Sequence, residues 1–224
     1  MELFSAVATA IPRDSDPDRI KRFIEEPRFA KAVLRSVFKP VAIPTNTAIP
    51  MEEWHHGWLK FWRHFGFKVD YFEPLYPEQW SIVMPKGLTN TQAFEIRQQM
   101  APSTNYLGNL DKITSVREPD QDYIVYVAPN MEADQEYRNK SACWVAESQI
   151  NSTTTRESCA LHSRYYAETG KFLNVDSITL DAGSRSADGN VPGSDWGRVG
   201  AEFGLGYCSL GSAGPFLGIR RVSL

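Results

Sequence analysis

The chain has no run of lysine or arginine longer than two residues, and its formal net charge is -3 over 224 residues. Duplex nucleic acids are bound by clusters of cations that displace counterions from phosphates, so DNA or RNA is not an expected partner. Cysteine is scarce as well. Cys143, Cys159 and Cys208 are odd in number and widely spaced, with no CxxC pair, which leaves neither a zinc or redox motif nor an even disulfide framework. A reducing, cytoplasmic setting is the expectation, in which the sequons at Asn139 and Asn151 carry no glycan. No window approaches the roughly 18 to 20 apolar residues of a membrane span, and MELFSAVATAIPRDSD lacks a basic leader, so no membrane partner is expected. Internal repeats and low-complexity stretches are also missing.

What remains is the composition of a soluble globular protein. With 42% hydrophobic and 12% aromatic residues, the chain can bury one large core or two unequal ones. Residues 1–75 read as a helical region. Asp16 and Pro17 make an N-cap and first helical position, with Ile20, Phe23 and Ile24 at helical spacing until Pro27. A second short helix is expected over Arg28 to Phe38, and the proline-rich VAIPTNTAIP is an extended connector. Trp54, Trp58, Phe61, Trp62 and Phe65 then fall on one broad apolar stripe, predicting a buried helix from about Pro50 that closes at Gly66. His55 and His56 point about 100° apart and neither stands four residues from His64, so no metal is expected on this helix.

Residues 76–224 read as a mixed domain. Trp80 to Met84 is a short strand, followed by a helix of about eleven residues capped at Thr89 or Asn90. DYIVYVA, Asp122 to Ala128, is rich in β-branched and aromatic residues and predicts a central strand buried on both faces. After the acidic NMEADQEYRNK comes a helix from Thr154 to Thr169, opened by a capping box and closed by Gly170. Too few strands alternate with helices for a doubly wound sheet, so the fold class is α+β. Ten of the fifteen glycines lie between Gly183 and Gly218. They divide short apolar pieces into strands and tight turns, with Trp196, Phe203, Tyr207 and Phe216 expected to anchor the turns by burying their rings.

The helix LTNTQAFEIRQQM, the GSRSADGNVPGSDWG loops and the terminal Gly218-Ile219-Arg220 resemble the C-type lectin-like fold, in the form of formylglycine-generating-enzyme-like domains and of the variable proteins of diversity-generating retroelements. The chain is also similar to a group of proteins of small-genome candidate-phylum bacteria that carry an acidic EADEE-like run, a helix ending YFxETGKxLD, and TLxxGSRxxDGxVPxxxW. The matching residues here are Glu132 to Glu136, Tyr166 to Asn174 and Thr179 to Trp196, with Asn174 where that group tends to have aspartate. The resemblance implies a ligand surface on loops between the last strands, which a rigid sheet would display. Arg185, Asp188, Asn190, Asp195, Trp196 and Arg198 are the candidate binding residues. Against this stands a purely structural role, in which Arg185 and Asp188 pair with each other and cap turns while Trp196 packs beneath the loop.

Asp181, Asp188, Asn190 and Asp195 offer oxygens for calcium, but no D-x-D-x-D-G loop or lectin-type Glu-Pro-Asn sequence is present, so neither metal nor cofactor is expected. Each cysteine could be a nucleophile with His162 as base, yet the close cysteine pair of formylglycine-type oxidases is missing and buried structural thiols fit better. Two functions follow from these observations. One is a module binding a protein or small ligand on its C-terminal glycine-rich loops. The other is an enzyme with a site in the cleft between the helical region and the lectin-like domain, for which no convergent acid, base or metal cluster, and hence no catalytic residue, is found.

Overall fold

A computed structural model describes residues 49–197 and 201–224. The two helices expected before residue 40, and Arg198, lie outside the described residues. The described elements are α1 (Met51–His64), β1 (Trp80–Met84), α2 (Asn90–Met100), β2 (Ser103–Asn105), β3 (Thr114–Ser115), β4 (Tyr123–Val127), α3 (Ala142–Glu147), α4 (Thr155–Thr169), β5 (Ile178–Leu180), β6 (Ser184–Arg185), β7 (Val191–Gly197), β8 (Glu202–Cys208) and β9 (Leu217–Ile219). The class is α+β. A mixed sheet runs β2-β8-β7-β5-β9, and two small antiparallel pairs, β1-β4 and β3-β6, accompany it. No helix of the described residues is long and apolar enough to cross a membrane.

Helix α1 forms where the aromatic stripe predicts, and Gly66 follows it at φ 83°. Trp54, Trp58 and Trp62 are fully buried. Their indole N–H groups donate to the carbonyls of Ser81 (2.9 and 2.8 Å) and Val83 (2.7 Å), along the side of β1 away from β4. An exposed strand edge carries unpaired carbonyls, and a row of tryptophans one turn apart covers this one while burying three large rings. His55 joins the same contact, with Nδ1 2.9 Å from the Ser81 hydroxyl.

Strand β4 departs from expectation. It lies outside the five-stranded sheet and pairs with β1 alone, with Tyr126 bridging to Ser223 on its other side. Its unbroken apolar run has a different cause. Val125 and Val127 face the main core, while the Tyr126 ring packs on Tyr76, 5.1 Å between centroids, and its hydroxyl accepts from the Leu75 N–H. The Pro-rich segment before β1 thus covers the second face.

Among the described residues, α4 is the most enclosed helix, buried from Thr155 through Tyr165. Thr154 and Glu157 form its capping box, and Gly170 takes the left-handed C-cap at φ 64°. Glu157 is fully enclosed and also accepts a two-toothed contact from Arg117 (2.8 Å each) and the Tyr123 hydroxyl (3.0 Å), so the buried carboxylate is paired. On one face of the sheet Phe203 and Leu205 join the main core with α2 and α4. On the other, Leu180, Val191 and Ile219 make a second cluster under α3. Two of the expected anchors are not buried: Tyr207 is 60% and Phe216 68% exposed, and both stand outside the two buried clusters.

The last strand pairs in parallel with β5, placing Gly218 opposite Thr179. A Cβ added at Gly218 would meet the Ala133 Cβ at 2.6 Å. Gly218→Ala is therefore expected to destabilise by about 1 to 3 kcal/mol through overpacking, read as a lower thermal midpoint.

Candidate functional site

The register of β7 and β8 sorts the candidate residues. Trp196 stands opposite Phe203 and Asp195 opposite Gly204, so the two neighbours point to opposite faces of the sheet. Trp196 turns toward the core side and stacks on Phe172, 3.3 Å between centroids and 6° between planes. It is half-buried, with one face of its ring against Phe172. Arg185 donates to the carbonyls of Ala182 (2.8 Å) and Ser184 (2.6 Å), closing its own turn. Asp188 accepts from the Ser186 hydroxyl (2.5 Å) and the Asn190 amide (2.8 Å), and the Ser186 contact holds its carboxyl below the usual range. These three residues satisfy one another or the backbone locally, as turn chemistry requires. One wall of a cleft of about 260 Å³ is nonetheless built from Ser186 and Asp188, facing Leu107, Lys112, Ile113 and the exposed Tyr207.

Asp195 is different. It is half-buried, has no hydrogen-bond partner among the described residues, and burial pushes its carboxyl above the ordinary carboxylate range. It lies on the face away from α2 and α4, in a row that runs Thr104, Gly204, Asp195 across three strands. Beside it, Gly206 stands opposite Gly193, and a Cβ at Gly206 would meet nothing within 4 Å. The open floor is at Gly206, for Gly193 is buried under the Ile178 side chain and a Cβ at Gly204 would meet the Asp195 carboxylate at 3.1 Å, whereas the β5-β9 half is covered by α3.

The rim is polar and aromatic. Thr104 (2.6 Å) and Tyr106 (3.0 Å) donate hydroxyl hydrogens to the two oxygens of Glu202, and the Tyr106 ring is 61% exposed. That hydrogen bond raises the Tyr106 phenol, and burial followed by the Asp195 charge raises the Cys208 thiol. Asp195 and Glu202 are diagonal neighbours across β7 and β8, which sets them about 7 Å apart. Thr104, Tyr106 and Glu202 are absent from the sequence-derived candidates. Their convergence depends on the parallel pairing of β2 with β8, about which residues nearly one hundred positions apart give no local signal.

Four further titratable groups, Asp181, His162, Cys159 and Arg97, are sealed inside. Asp181 is fully buried, accepts from the Ser158 and Thr153 hydroxyls, and burial raises its carboxyl well above the ordinary range. Burial lowers the His162 imidazole, whose Nε2 lies 3.1 Å from the Asn174 amide, and raises the Cys159 thiol. A nucleophilic cysteine needs the opposite environment, electropositive and accessible. Arg97 is also fully enclosed, its guanidinium 5.2 to 5.8 Å from the Tyr166, Phe172 and Phe203 ring centres, and burial pushes it down to about 10. Among the described residues no group of three histidines, cysteines or carboxylates is placed to hold a metal ion. No family model, no curated protein and no solved structure matches this chain.

Proposed function

We propose that the protein is a binding module, and that its ligand lies on the bare half of the sheet formed by β2, β8 and β7. The observation that supports this is the unpartnered, half-buried carboxyl of Asp195 beside a glycine floor. Burying part of a carboxylate without a hydrogen bond is costly, and a ligand that supplies a cation or donor recovers the cost. The open floor at Gly206 beside Asp195 takes a planar group, and Glu202 adds a second negative charge at the rim. The ligand class is thus a cation carried on a flat or aromatic body, a protein side chain included. An enzymatic reading has less support, because the titratable groups that converge in the interior do not line the clefts described.

The test uses backbone-amide NMR on the labelled full chain, titrated with tyramine and with the dipeptide amide of arginine and tryptophan. Binding is expected to shift Gly193, Gly204, Gly206 and Tyr106, and Asp195→Asn is expected to weaken it by about tenfold, the loss of one charge-assisted contact. The raised Asp195 carboxyl adds a pH signature: its charge, and with it the affinity, is lost as pH falls at a higher pH than for an exposed aspartate. If neither probe moved these amides, the reading would be wrong.

A further inference from the structure

Strand β2 forms one edge of the five-stranded sheet. On its inner side Phe203 N–H donates to Pro102 (2.9 Å) and Tyr106 N–H donates to the Leu205 carbonyl (2.8 Å). In a parallel ladder alternate residues turn both backbone groups to the same neighbour, so Ser103 and Asn105 direct theirs outward. The Gln98 amide reaches the Ser103 carbonyl at 3.3 Å. The Ser103 N–H and both backbone groups of Asn105 have no partner among the described residues.

Against this edge lies a groove of about 490 Å³. Its far wall is α2, which contributes Thr91, Glu95 and Gln98 at i, i+4 and i+7, one face of the helix, and its end is closed by the turn at 108–110. Glu95 is exposed and is the one charged side chain on the lining. On the other face of the sheet the row of Thr104 carries Glu202.

From this geometry we propose that β2 receives an extended segment of a partner protein as a sixth strand, with basic side chains. An extended backbone is the form whose donors and acceptors match outward groups at alternate residues, and strand addition uses these main-chain bonds for affinity. Successive side chains of the added strand point to opposite faces. One set enters the groove toward Glu95, and the other lies on the sheet face near Glu202, so both meet a carboxylate. The inference rests on the strand edge and the groove, independently of Asp195.

The experiment selects random nonapeptides displayed on phage against the full chain, then measures the enriched peptides by calorimetry. Enriched sequences are expected to carry lysine or arginine at alternate positions and to lack proline between them. Ser103→Pro removes the outward N–H and leaves the bonds of residues 102, 104 and 106 to β8, and is expected to weaken binding by about tenfold or more. Glu95→Lys, at an exposed helix position that folding does not use, is expected to weaken it comparably, with the thermal transition unchanged in both variants. Failure to enrich any peptide overturns the proposal, as do enriched peptides that bind both variants as tightly as the parent. Peptides lost in Asp195→Asn but retained in Ser103→Pro and Glu95→Lys also overturn it, while supporting the ligand face on the glycine floor.

Discussion

Replacing Trp58 with alanine is expected to lower the stability of the fold by about 3 to 5 kcal/mol, read as a lower denaturant midpoint with an unchanged slope. The ring is fully enclosed between Trp54, Phe61 and Trp62, with centroids 5.9, 5.5 and 5.8 Å away, and the Arg164 guanidinium lies 5.8 Å from its centre. The cost is mostly cavity and lost transfer energy, because the Ser81 carbonyl keeps its second donor, the Trp54 indole, when Trp58 is gone. Trp62→Ala makes a useful contrast. There the Val83 carbonyl loses its only indole, and an orphaned buried acceptor adds about 1 to 3 kcal/mol. Small domains hold a total of about 5 to 15 kcal/mol, so either change removes a large share of the margin. An unmoved midpoint for Trp58→Ala would mean that α1 does not cover the β1 edge.

This helix was legible because its signal is local. A stripe at 3.6-residue spacing needs no knowledge of the partner surface, and the capping boxes of Thr89 with Gln92 and Thr154 with Glu157 are likewise written within four residues. Strand positions at 80–84 and 123–127 were readable for the same reason. What β4 pairs with was not, since burial on both faces suits a central strand and equally a ribbon wrapped by Tyr76 and Leu75. The glycine-rich end is readable as turns and strands, and Arg185 and Asp188 make local turn contacts, although they bond to their own turns rather than to each other. Asp195 and Trp196 read as loop residues, whereas they lie within β7, and a strand sends adjacent side chains to opposite faces. The partners that frame Asp195, Thr104 and Tyr106 on β2 and Glu202 on β8, belong to a parallel pairing whose register no hairpin fixes.

Deleting Pro215 to Leu224 is expected to abolish the cooperative transition altogether. Strand β9 closes one edge of the sheet by pairing with β5, and Ile219 is fully buried in the cluster under α3. Val222 reaches the main core, with its N–H on the Asn151 carbonyl (2.9 Å), and Ser223 exchanges two bonds with Tyr126 (2.8 and 3.0 Å). Ten residues therefore hold the five-stranded sheet, the β1-β4 ribbon and the start of α4 to one another. Arg220 adds the largest single constraint. Its enclosed guanidinium donates to the carbonyls of Asn130 (2.8 Å) and Glu132 (3.0 Å) and to the Asn174 side chain (3.2 Å). Without it those acceptors lose their donor inside the protein, at about 1 to 3 kcal/mol for each that water does not reach. The truncated chain would also expose the β5 edge and the apolar floor beneath α3, which favours association over refolding. Removing Leu224 alone is the control, because its side chain is 58% exposed and its loss is expected to leave the midpoint within the range of ordinary surface changes. A truncation to residue 214 that kept the parent calorimetric transition would show that β9 is not part of the sheet, and the ligand face on β7 and β8 would lose the scaffold that holds it.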